Sequence, residues 1–464
     1  MSRRVVITGL GAVTPAGIGK SALLTSITNA ISPVTRLNIH ESYGNLQGAE
    51  IKDFNLDSYF NNGKENGFDR KSYNKIRNLD RAIQFAVLGT KLAIEDSSLQ
   101  YDQADNSIGV CIGNAEDCIQ LYEIQVELTI QKVVRKIFGT FSHLVKPFHF
   151  WKTRRIFNQY QDLLNPEKLP EFIAMLHEKY GTLHQLTPTG TLDFKSYAIP
   201  SRITSFFGLH GPSSAINTSC ASGLDAIGFS FRQIKDGYCD VIISGGSEAP
   251  ISLESLAALD NLGVISKTKP CPYDKNRDGF ALSEGAGILV LEELEHAKAR
   301  GAHIYAEICG FGQSTDANKN IFALNLEGRF LKEAINQALK LSGISSEKVD
   351  YINSHGTSTQ DCDEIETAVV KEIFGNHAYR LFMSSTKPIT GHSIGAIGGI
   401  EAIITSLAIE NSIIPPTLNL ANPDPKCDLN YAPNKSIQKN VDTALITSMG
   451  FGGFNSALVL SKLK

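Results

Sequence analysis

The sequence has little of what marks a disulfide-rich, zinc-binding or membrane-spanning protein. Its eight cysteines are scattered and form no CxxC pair or Cys/His cluster, which excludes a disulfide framework and a structural zinc site. The most apolar run, residues 393–409, contains Glu401 and falls short of the roughly 20 apolar residues of a membrane span. We therefore expect a cytoplasmic protein without stable membrane insertion, and we interpret the apolar start as a strand rather than a signal peptide.

Neither sign of charge dominates this chain of 464 residues. The 44 Lys and Arg residues against 48 Asp and Glu residues leave a formal net charge of −4, which offers no chain-wide attraction to nucleic acid. Hydrophobic residues make up 42% and charged residues 20% of the chain, as is typical of a globular rather than a disordered protein. A chain of this length is long enough for about three domains or two large halves.

Short β-branched runs alternate with Gly-rich turns and helical patterns. Continuous apolar strands of this kind are expected where helices cover both faces of a sheet, so the pattern predicts an α/β fold with layered sheets. The runs are Val5–Thr8, Val241–Ser244, Ile288–Leu291, Ala444–Thr447 and Ala457–Leu460.

A short internal echo indicates two related halves. Residues 5–17 and 306–317 each contain a strand-like run followed by Gly-x-Gly and a polar turn. We therefore predict two similar α/β halves, 1–250 and 251–464, each with a mixed five-stranded sheet.

Residues from about 120 to 190 differ in composition from the rest, and we interpret them as an insertion in the first half. Between residues 128 and 161 there are seven basic residues, no acidic residue and seven aromatics, including Trp151. Such a tract is expected either to attract an acidic partner or to form a cap whose aromatics pack on the main domain, with reversible membrane contact as a lesser alternative. The basic residues are Lys132, Arg135, Lys136, Lys146, Lys152, Arg154 and Arg155.

Two glycine-containing motifs suggest other chemistry. Gly19-Lys20-Ser21 resembles the end of a phosphate-binding loop, but Thr14 stands where that loop needs glycine, so nucleotide binding is not expected. Residues 391–395 match the Gly-x-Ser-x-Gly nucleophile elbow of serine hydrolases and acyltransferases. An elbow requires a strand that runs directly into the turn, whereas five residues separate this motif from the strand-like run 381–385. Ser393 nevertheless stays the alternative nucleophile.

Cys220 stands at the predicted start of a helix. The residues after it, 224–234, have mostly helical apolar spacing. We expect Cys220 in the first helical turn, where unpaired N–H groups and the helix dipole favour the thiolate and make a nucleophile. From this segment alone, a buried structural cysteine is an equal alternative.

Two histidines occupy glycine-containing loops of the second half. His355 follows the apolar residues 349–352 and precedes Gly356, which places it on a loop at a strand end. His392 lies five residues after Lys387. Either histidine alone is more often structural. Together with a helix-start cysteine, they suit the transfer of an acyl group from a thioester with stabilisation of an oxyanion.

The order of these motifs resembles that of the elongating β-ketoacyl-acyl carrier protein synthases of the thiolase superfamily. The similarity covers nearly the whole chain outside residues 120–190. It is carried by Arg4–Gly17, Ser213–Ala249, Pro272–Asp274, Arg277–Phe280, Glu284–Gly287, His355–Thr359, Lys387–Gly395 and Gly450–Gly453. The resemblance implies a thiolase-like fold, in which two duplicated α/β halves form a layered α-β-α-β-α sandwich.

The resemblance also implies a role for each matching residue. Cys220 would accept the acyl group, and His355 and His392 would promote malonyl decarboxylation and stabilise the enolate. The amides of Cys220 and Phe451 would form the oxyanion hole, with Phe451 as the gate beside the thiol. The supporting residues that it implies are Lys387, Asp363, Glu366, Thr357, Thr359 and Glu284.

The implied reaction is a decarboxylative Claisen condensation in fatty acid or type II polyketide synthesis, with no cofactor or metal held by the enzyme. The acyl and malonyl groups would arrive on the phosphopantetheine of acyl carrier protein, and the chain would pair with itself or with a chain-length-factor-like subunit. A non-catalytic partner subunit is disfavoured because such subunits typically lack the cysteine found here at position 220. The chain departs from the family pattern at Tyr273, Met449 and Phe454, where Phe, Phe and Thr are common.

Overall fold

The computed structural model describes residues 3–37, 44–60, 73–74, 76–104, 106–116 and 195–464. The predicted insertion at 120–190 lies outside the described residues. The helices, in chain order, are α1 (Lys20–Thr28), α2 (Arg81–Ser97), α3 (Ala198–Phe207), α4 (Ser222–Lys235), α5 (Leu253–Asn261), α6 (Leu294–Ala299), α7 (Arg329–Ser342), α8 (Gln360–Phe374), α9 (Lys387–Thr390) and α10 (Ile397–Asn411).

The strands include every β-branched run predicted from the sequence. In chain order they are β1 (Val5–Thr14), β2 (Gly17–Ile18), β3 (Thr35–Arg36), β4 (Gln47–Ala49), β5 (Gly109–Gly113), β6 (Ser213–Ile216), β7 (Val241–Glu248), β8 (Leu282–Ser283), β9 (Gly285–Glu293), β10 (Ala306–Thr315), β11 (Tyr351–Asn353), β12 (Phe382–Ser384), β13 (Ile413–Ile414), β14 (Ile437–Gln438), β15 (Thr443–Gly450) and β16 (Phe454–Ser461).

Two groups of five strands have the same order and the same directions. In the first, β5 pairs in parallel with β6 and β7, β7 is antiparallel to β9, and β9 is antiparallel to β1. In the second, β11 pairs in parallel with β12 and β15, β15 is antiparallel to β16, and β16 is antiparallel to β10. The two groups meet where β1 pairs antiparallel with β10. The strands that form the predicted internal echo therefore occupy equivalent places.

Strand pairing also bears on where the halves meet. β9 follows residue 250 in the chain yet lies between β1 and β7 of the first group. The division at residue 250 stays a prediction. β9 completes the first group of strands at residue 293, and the second group begins with β10 at residue 306.

Helices form three layers around the two strand groups. α4 and α10 pack on each other and lie between the groups, α2 covers β1 and β9 from one outer side, and α7 covers β10 and β16 from the other. A Cβ added at Gly223 of α4 would lie 2.8 Å from the carbonyl oxygen of Gly395 and 3.0 Å from the amide nitrogen of Gly399, so only glycine permits this approach. The predicted layered α-β-α-β-α arrangement is confirmed.

The most apolar helix lies in the central layer. The helical stretch Ile394–Asn411, a 3-10 turn followed by α10, is long and apolar enough to cross a membrane by length and composition. Inside the folded protein 89% of this stretch is buried, and Glu401 forms an internal ion pair. It is a core helix in this structure.

Candidate active site

Cys220 lies on a tight turn between β6 and α4. Ser219, directly before it, has a φ of +54°, which is uncommon for a residue other than glycine. The amides of Ala221 and Ser222 donate to the carbonyls of Thr218 and Ser219 at 3.1 and 3.0 Å, which keeps the turn closed. α4 begins at Ser222, so Cys220 lies two residues before the first helical residue. The prediction that Cys220 lies within the first helical turn is therefore wrong. Its side chain is buried, at 4% exposure.

His392 approaches Cys220 from the second half of the chain. Its Nε2 lies 3.2 Å from the Sγ of Cys220. The amide of His392 donates to the carbonyl of Ala281 at 2.8 Å, and its own carbonyl accepts from the Ser283 amide at 3.0 Å. The ring of Phe280 meets the imidazole edge-on, with centroids 4.8 Å apart. Segment 280–283 therefore fixes the imidazole against the thiol.

His355 lies beside His392 on the loop after β11. The two imidazole centroids are 5.6 Å apart at an interplanar angle of 86°. Glu366 holds the main chain of this loop, because its Oε1 accepts the His355 amide at 2.8 Å and its Oε2 accepts the Gly356 amide at 3.0 Å. Among the described residues, no side chain or backbone atom hydrogen-bonds to Nδ1 of either histidine. The position of the His355 ring therefore depends on its main chain.

A buried ion pair lies behind the two histidines. Lys387 Nζ donates to Glu401 Oε1 at 2.6 Å, and both side chains are almost inaccessible to solvent. Glu401 is not among the site residues predicted from the sequence. The available signal was one carboxylate within an otherwise apolar helix, since a charge in such a place is rarely left without a partner.

Burial determines the protonation states at this site. It lowers the pKa of His355 and His392 well below the usual range, and the positive charge of Lys387 lowers both further, so both imidazoles are neutral. Burial also raises the pKa of Cys220 to about 11. The expectation of a resting thiolate is therefore wrong: the desolvation of the sulfur outweighs the helix start, and neutral His392 lies where it can take the thiol proton.

This pKa predicts how the free enzyme reacts with a thiol reagent. Below the pKa of about 11 the thiolate fraction of Cys220 grows with pH, so alkylation by iodoacetamide should become about tenfold faster per pH unit between pH 7 and 10. The rate is measured by peptide mapping, with Cys220→Ala as the control for labelling of other cysteines. A rate that levels off below pH 8 would contradict the raised pKa.

The loop after β15 closes the other side of the sulfur. The amide of Phe451 hydrogen-bonds to Cys220, and this hydrogen bond partly offsets the rise in the thiol pKa that burial causes. The Phe451 side chain packs in the apolar cluster that contains Cys220 and Ile394. A Cβ on Gly450 would lie 2.8 Å from the carbonyl oxygen of Thr218, so a larger residue there would displace the turn that carries the nucleophile.

The other supporting residues lie at different distances from the chemistry. Asp363 accepts the amides of Tyr273 and Ser358 at 2.8 and 3.1 Å, and so ties together the loops on either side of His355. The hydroxyls of Thr357 and Thr359 hydrogen-bond to each other at 2.9 Å. Glu284 is directed elsewhere: its carboxylate pairs with Arg81 at 2.6 Å and accepts the Ile51 amide at 2.9 Å.

The key residues of the two alternative motifs are either paired with another side chain or poorly placed for the chemistry that the motif suggests. Lys20 is paired with Asp96. Ser393 Oγ is buried and has no hydrogen-bond partner among the described residues, and α9 lies between β12 and its turn. The serine therefore lacks both the base and the strand-to-turn geometry of a nucleophile elbow.

Comparison with known proteins agrees with this geometry. The sequence models of the β-ketoacyl synthase N-terminal and C-terminal domains match residues 2–143 with 167–297 and residues 305–421, respectively. The chain belongs to the β-ketoacyl synthase family. The N-terminal domain model leaves out residues 144–166, which lie within the tract that we interpret as an insertion.

Relatives within the family match the chain over its full length. A 3-oxoacyl-acyl-carrier-protein synthase 2 from Synechocystis sp. is 36% identical over 470 residues, with 99% of this chain and 98% of that protein covered. The enzyme of the same name from Staphylococcus aureus is 34% identical over 472 residues, with 100% and 99% covered.

Solved ketosynthase structures have the same fold. The structure of a type II PKS acyl-carrier protein in complex with its ketosynthase bound to the hexaketide matches with a TM-score of 0.78 at 29% identity, and all of both chains is covered. The ishigamide ketosynthase/chain length factor matches with a TM-score of 0.80 at 26% identity, again over all of both chains. The predicted thiolase-like fold is confirmed.

Proposed function

We propose that this protein is a β-ketoacyl-acyl carrier protein synthase that extends a cysteine-bound acyl chain by decarboxylative Claisen condensation. The observation that carries the proposal is the 3.2 Å contact between Cys220 Sγ and His392 Nε2, with the neutral imidazole of His355 beside it. A thiol next to a neutral base can be acylated, and a second neutral imidazole can stabilise an oxyanion without a metal.

In the first step the acyl group moves to Cys220. His392 accepts the thiol proton as the sulfur attacks the thioester carbonyl of an acyl carrier protein. The amides of Cys220 and Phe451 donate to the oxyanion of the tetrahedral intermediate. The carbon–sulfur bond to phosphopantetheine then breaks, and the leaving thiolate takes back the proton from His392. The products are acyl-Cys220 and free carrier protein.

In the second step malonyl-acyl carrier protein loses CO₂ beside the two histidines. Breaking the carbon–carbon bond to the carboxylate leaves the electron pair in an enolate. Its oxygen accepts hydrogen bonds from the ring N–H of neutral His355 and from the Nε2–H of neutral His392, which after acylation of Cys220 takes the tautomer with its proton on Nε2. The enolate carbon then attacks the acyl-Cys220 thioester. The new carbon–carbon bond displaces the Cys220 thiolate, which takes up one proton from solvent by way of His392, and the β-ketoacyl product stays on the carrier protein.

The proposed partners follow from this chemistry and from the relatives. Both substrates arrive on the phosphopantetheine arm of acyl carrier protein, so we propose no cofactor held by the enzyme. The ketosynthase complex with acyl-carrier protein and the ketosynthase/chain length factor support a carrier-protein partner and pairing with either a second copy or a related subunit. Steering of the acidic carrier by the basic tract of residues 132–155 stays a prediction. The cysteines in the described residues are free, which supports a reducing, cytoplasmic location.

Intact-mass analysis after incubation with an acyl-acyl carrier protein tests the nucleophile. We expect the wild type and Ser393→Ala to gain one acyl group each, because the Ser393 hydroxyl makes no hydrogen bond to a base. Addition of malonyl-acyl carrier protein should then convert the adduct to β-ketoacyl-acyl carrier protein with one CO₂ released per turnover. Loss of the adduct in Ser393→Ala would favour the serine-acyltransferase alternative, and its absence in the wild type would favour a non-catalytic partner subunit.

A further inference from the structure

The hydroxyl of Tyr273 lies against the turn that carries His355. It is 2.5 Å from the Oγ of Ser354, the residue directly before His355, and 3.4 Å from Oε2 of Glu366. On the other side of the histidine, a Cβ added to Gly356 would lie 2.8 Å from the same hydroxyl. The phenol oxygen therefore lies next to the residues on both sides of the histidine.

The direction of these hydrogen bonds follows from how many protons are available. The single proton of the Ser354 hydroxyl is donated to the carbonyl of Ser384 at 3.0 Å. Ser354 Oγ must then accept at its contact with Tyr273, so the phenol is the donor. Burial and the nearby Glu366 carboxylate raise the pKa of Tyr273 well above the usual range, which keeps it a donor at neutral pH.

Tyr273 is itself held in an unusual backbone conformation. Its φ is +65°, a region that a bulky residue adopts only when its surroundings enforce it. The Tyr273 amide donates to Asp363 at 2.8 Å, and its carbonyl accepts from the amide of Asp424 at 2.9 Å. Its ring stacks on that of Tyr431, with centroids 3.7 Å apart at 11°. The hydroxyl is thus presented to the His355 turn by a rigid support.

The His355 turn depends on such support because no described residue hydrogen-bonds to Nδ1 of His355. The ring position follows from the main chain, which Glu366 holds through the amides of His355 and Gly356. His392 is held by a different segment, residues 280–283. A change at the Tyr273 hydroxyl should therefore affect His355 and spare the contact between His392 and Cys220.

We propose that Tyr273 is a positioning residue whose hydroxyl fixes His355 for malonyl decarboxylation, while acyl transfer to Cys220 does not depend on it. This inference rests on the proposed function. It also gives a physical meaning to a departure from the family pattern, since the chain has Tyr273 where the family commonly has phenylalanine.

The test is Tyr273→Phe, which removes only the hydroxyl. We expect the rate of malonyl-acyl carrier protein decarboxylation to fall about fivefold to tenfold, the effect of one lost hydrogen bond, with KM unchanged. The rate of acyl transfer to Cys220, measured by time-resolved intact mass, should stay within about twofold of wild type. Tyr431→Phe is the matched control: its ring is the other half of the stack, but its hydroxyl bonds to Thr367 at 2.8 Å and not to the His355 turn.

A second variant keeps the inference testable if Tyr273→Phe is unstable. Ser354→Ala removes the acceptor of the Tyr273 hydroxyl and should slow decarboxylation selectively, and the double variant should be no slower than the slower single one. Equal loss of both half-reactions, or no loss of either in folded Tyr273→Phe, would overturn the inference. If the wild type fails to decarboxylate malonyl-acyl carrier protein at all, the proposed function fails instead.

Discussion

Replacing Cys220 with alanine will abolish the acyl adduct and lower the condensation rate at least about ten-thousandfold, because no other nucleophilic side chain of the described residues hydrogen-bonds to His392. Cys220 is the residue whose sulfur lies within 3.2 Å of the neutral His392. Ser393, the alternative, is buried without a hydrogen-bond partner in the described part of the chain. The rate is followed as β-ketoacyl-acyl carrier protein formed from acyl and malonyl carriers.

The same variant carries its own control for folding. Cys220→Ala keeps both histidines and the Phe451 amide, so malonyl decarboxylation without condensation should persist. Retained decarboxylation with lost condensation would separate the two half-reactions chemically. An acyl adduct that survives in Cys220→Ala would refute the assignment of the nucleophile.

Among these substitutions, replacing Lys387 will lower the stability of the folded protein most. We expect Lys387→Met to lower the free energy of unfolding by about 3–5 kcal/mol in urea titrations at pH 8, because it leaves the carboxylate of Glu401 buried without its counter-charge. The double variant Lys387→Met/Glu401→Gln, which removes both charges, should recover most of the loss. A double variant as unstable as the single one would show that packing, rather than the unpaired charge, is responsible.

The pH dependence of this loss has a definite sign. Burial raises the pKa of Glu401 to about 7 even with Lys387 present, so the folded protein binds more protons at this site than the unfolded chain between about pH 4.5 and 7. Without the lysine the carboxyl should protonate at still higher pH. Below about pH 7 Glu401 is protonated in both folded proteins, so the stability deficit of Lys387→Met relative to wild type should shrink as the pH falls from 9 to 7. A deficit that is constant over this range would contradict a charged Glu401.

Structural features that depend on neighbouring residues in the chain could be predicted from the sequence. Cys220 before an apolar helical pattern, and His355 after an apolar run, could be placed on a helix start and a strand end because both signals are local. The equivalence of β1 and β10 was visible as a repeated strand and Gly-x-Gly turn. The structure confirms these elements, except that Cys220 lies two residues before the helix rather than in its first turn.

The parts that could not be predicted depend on distant contacts or on burial. The partner of Lys387 is Glu401, which lies across a turn and on another helix, and no spacing rule connects them. The pKa of Cys220 depends on how deeply the sulfur is buried. The presence of a helix start in the sequence does not show that depth. The hydroxyl of Tyr273 gains its meaning only from a backbone conformation that no local pattern shows.

The order of the strands has a consequence for how the chain is made. α10, the most apolar helix, packs against β9 and β7, which precede it, and also against β15, which follows it. β16 comes later still and takes a place between β15 and β10, inside the sheet rather than at its edge. During synthesis on the ribosome, α10 emerges before the strands that complete its shelter exist. The nascent chain therefore exposes this apolar helix for as long as the translation of β15 and β16 takes.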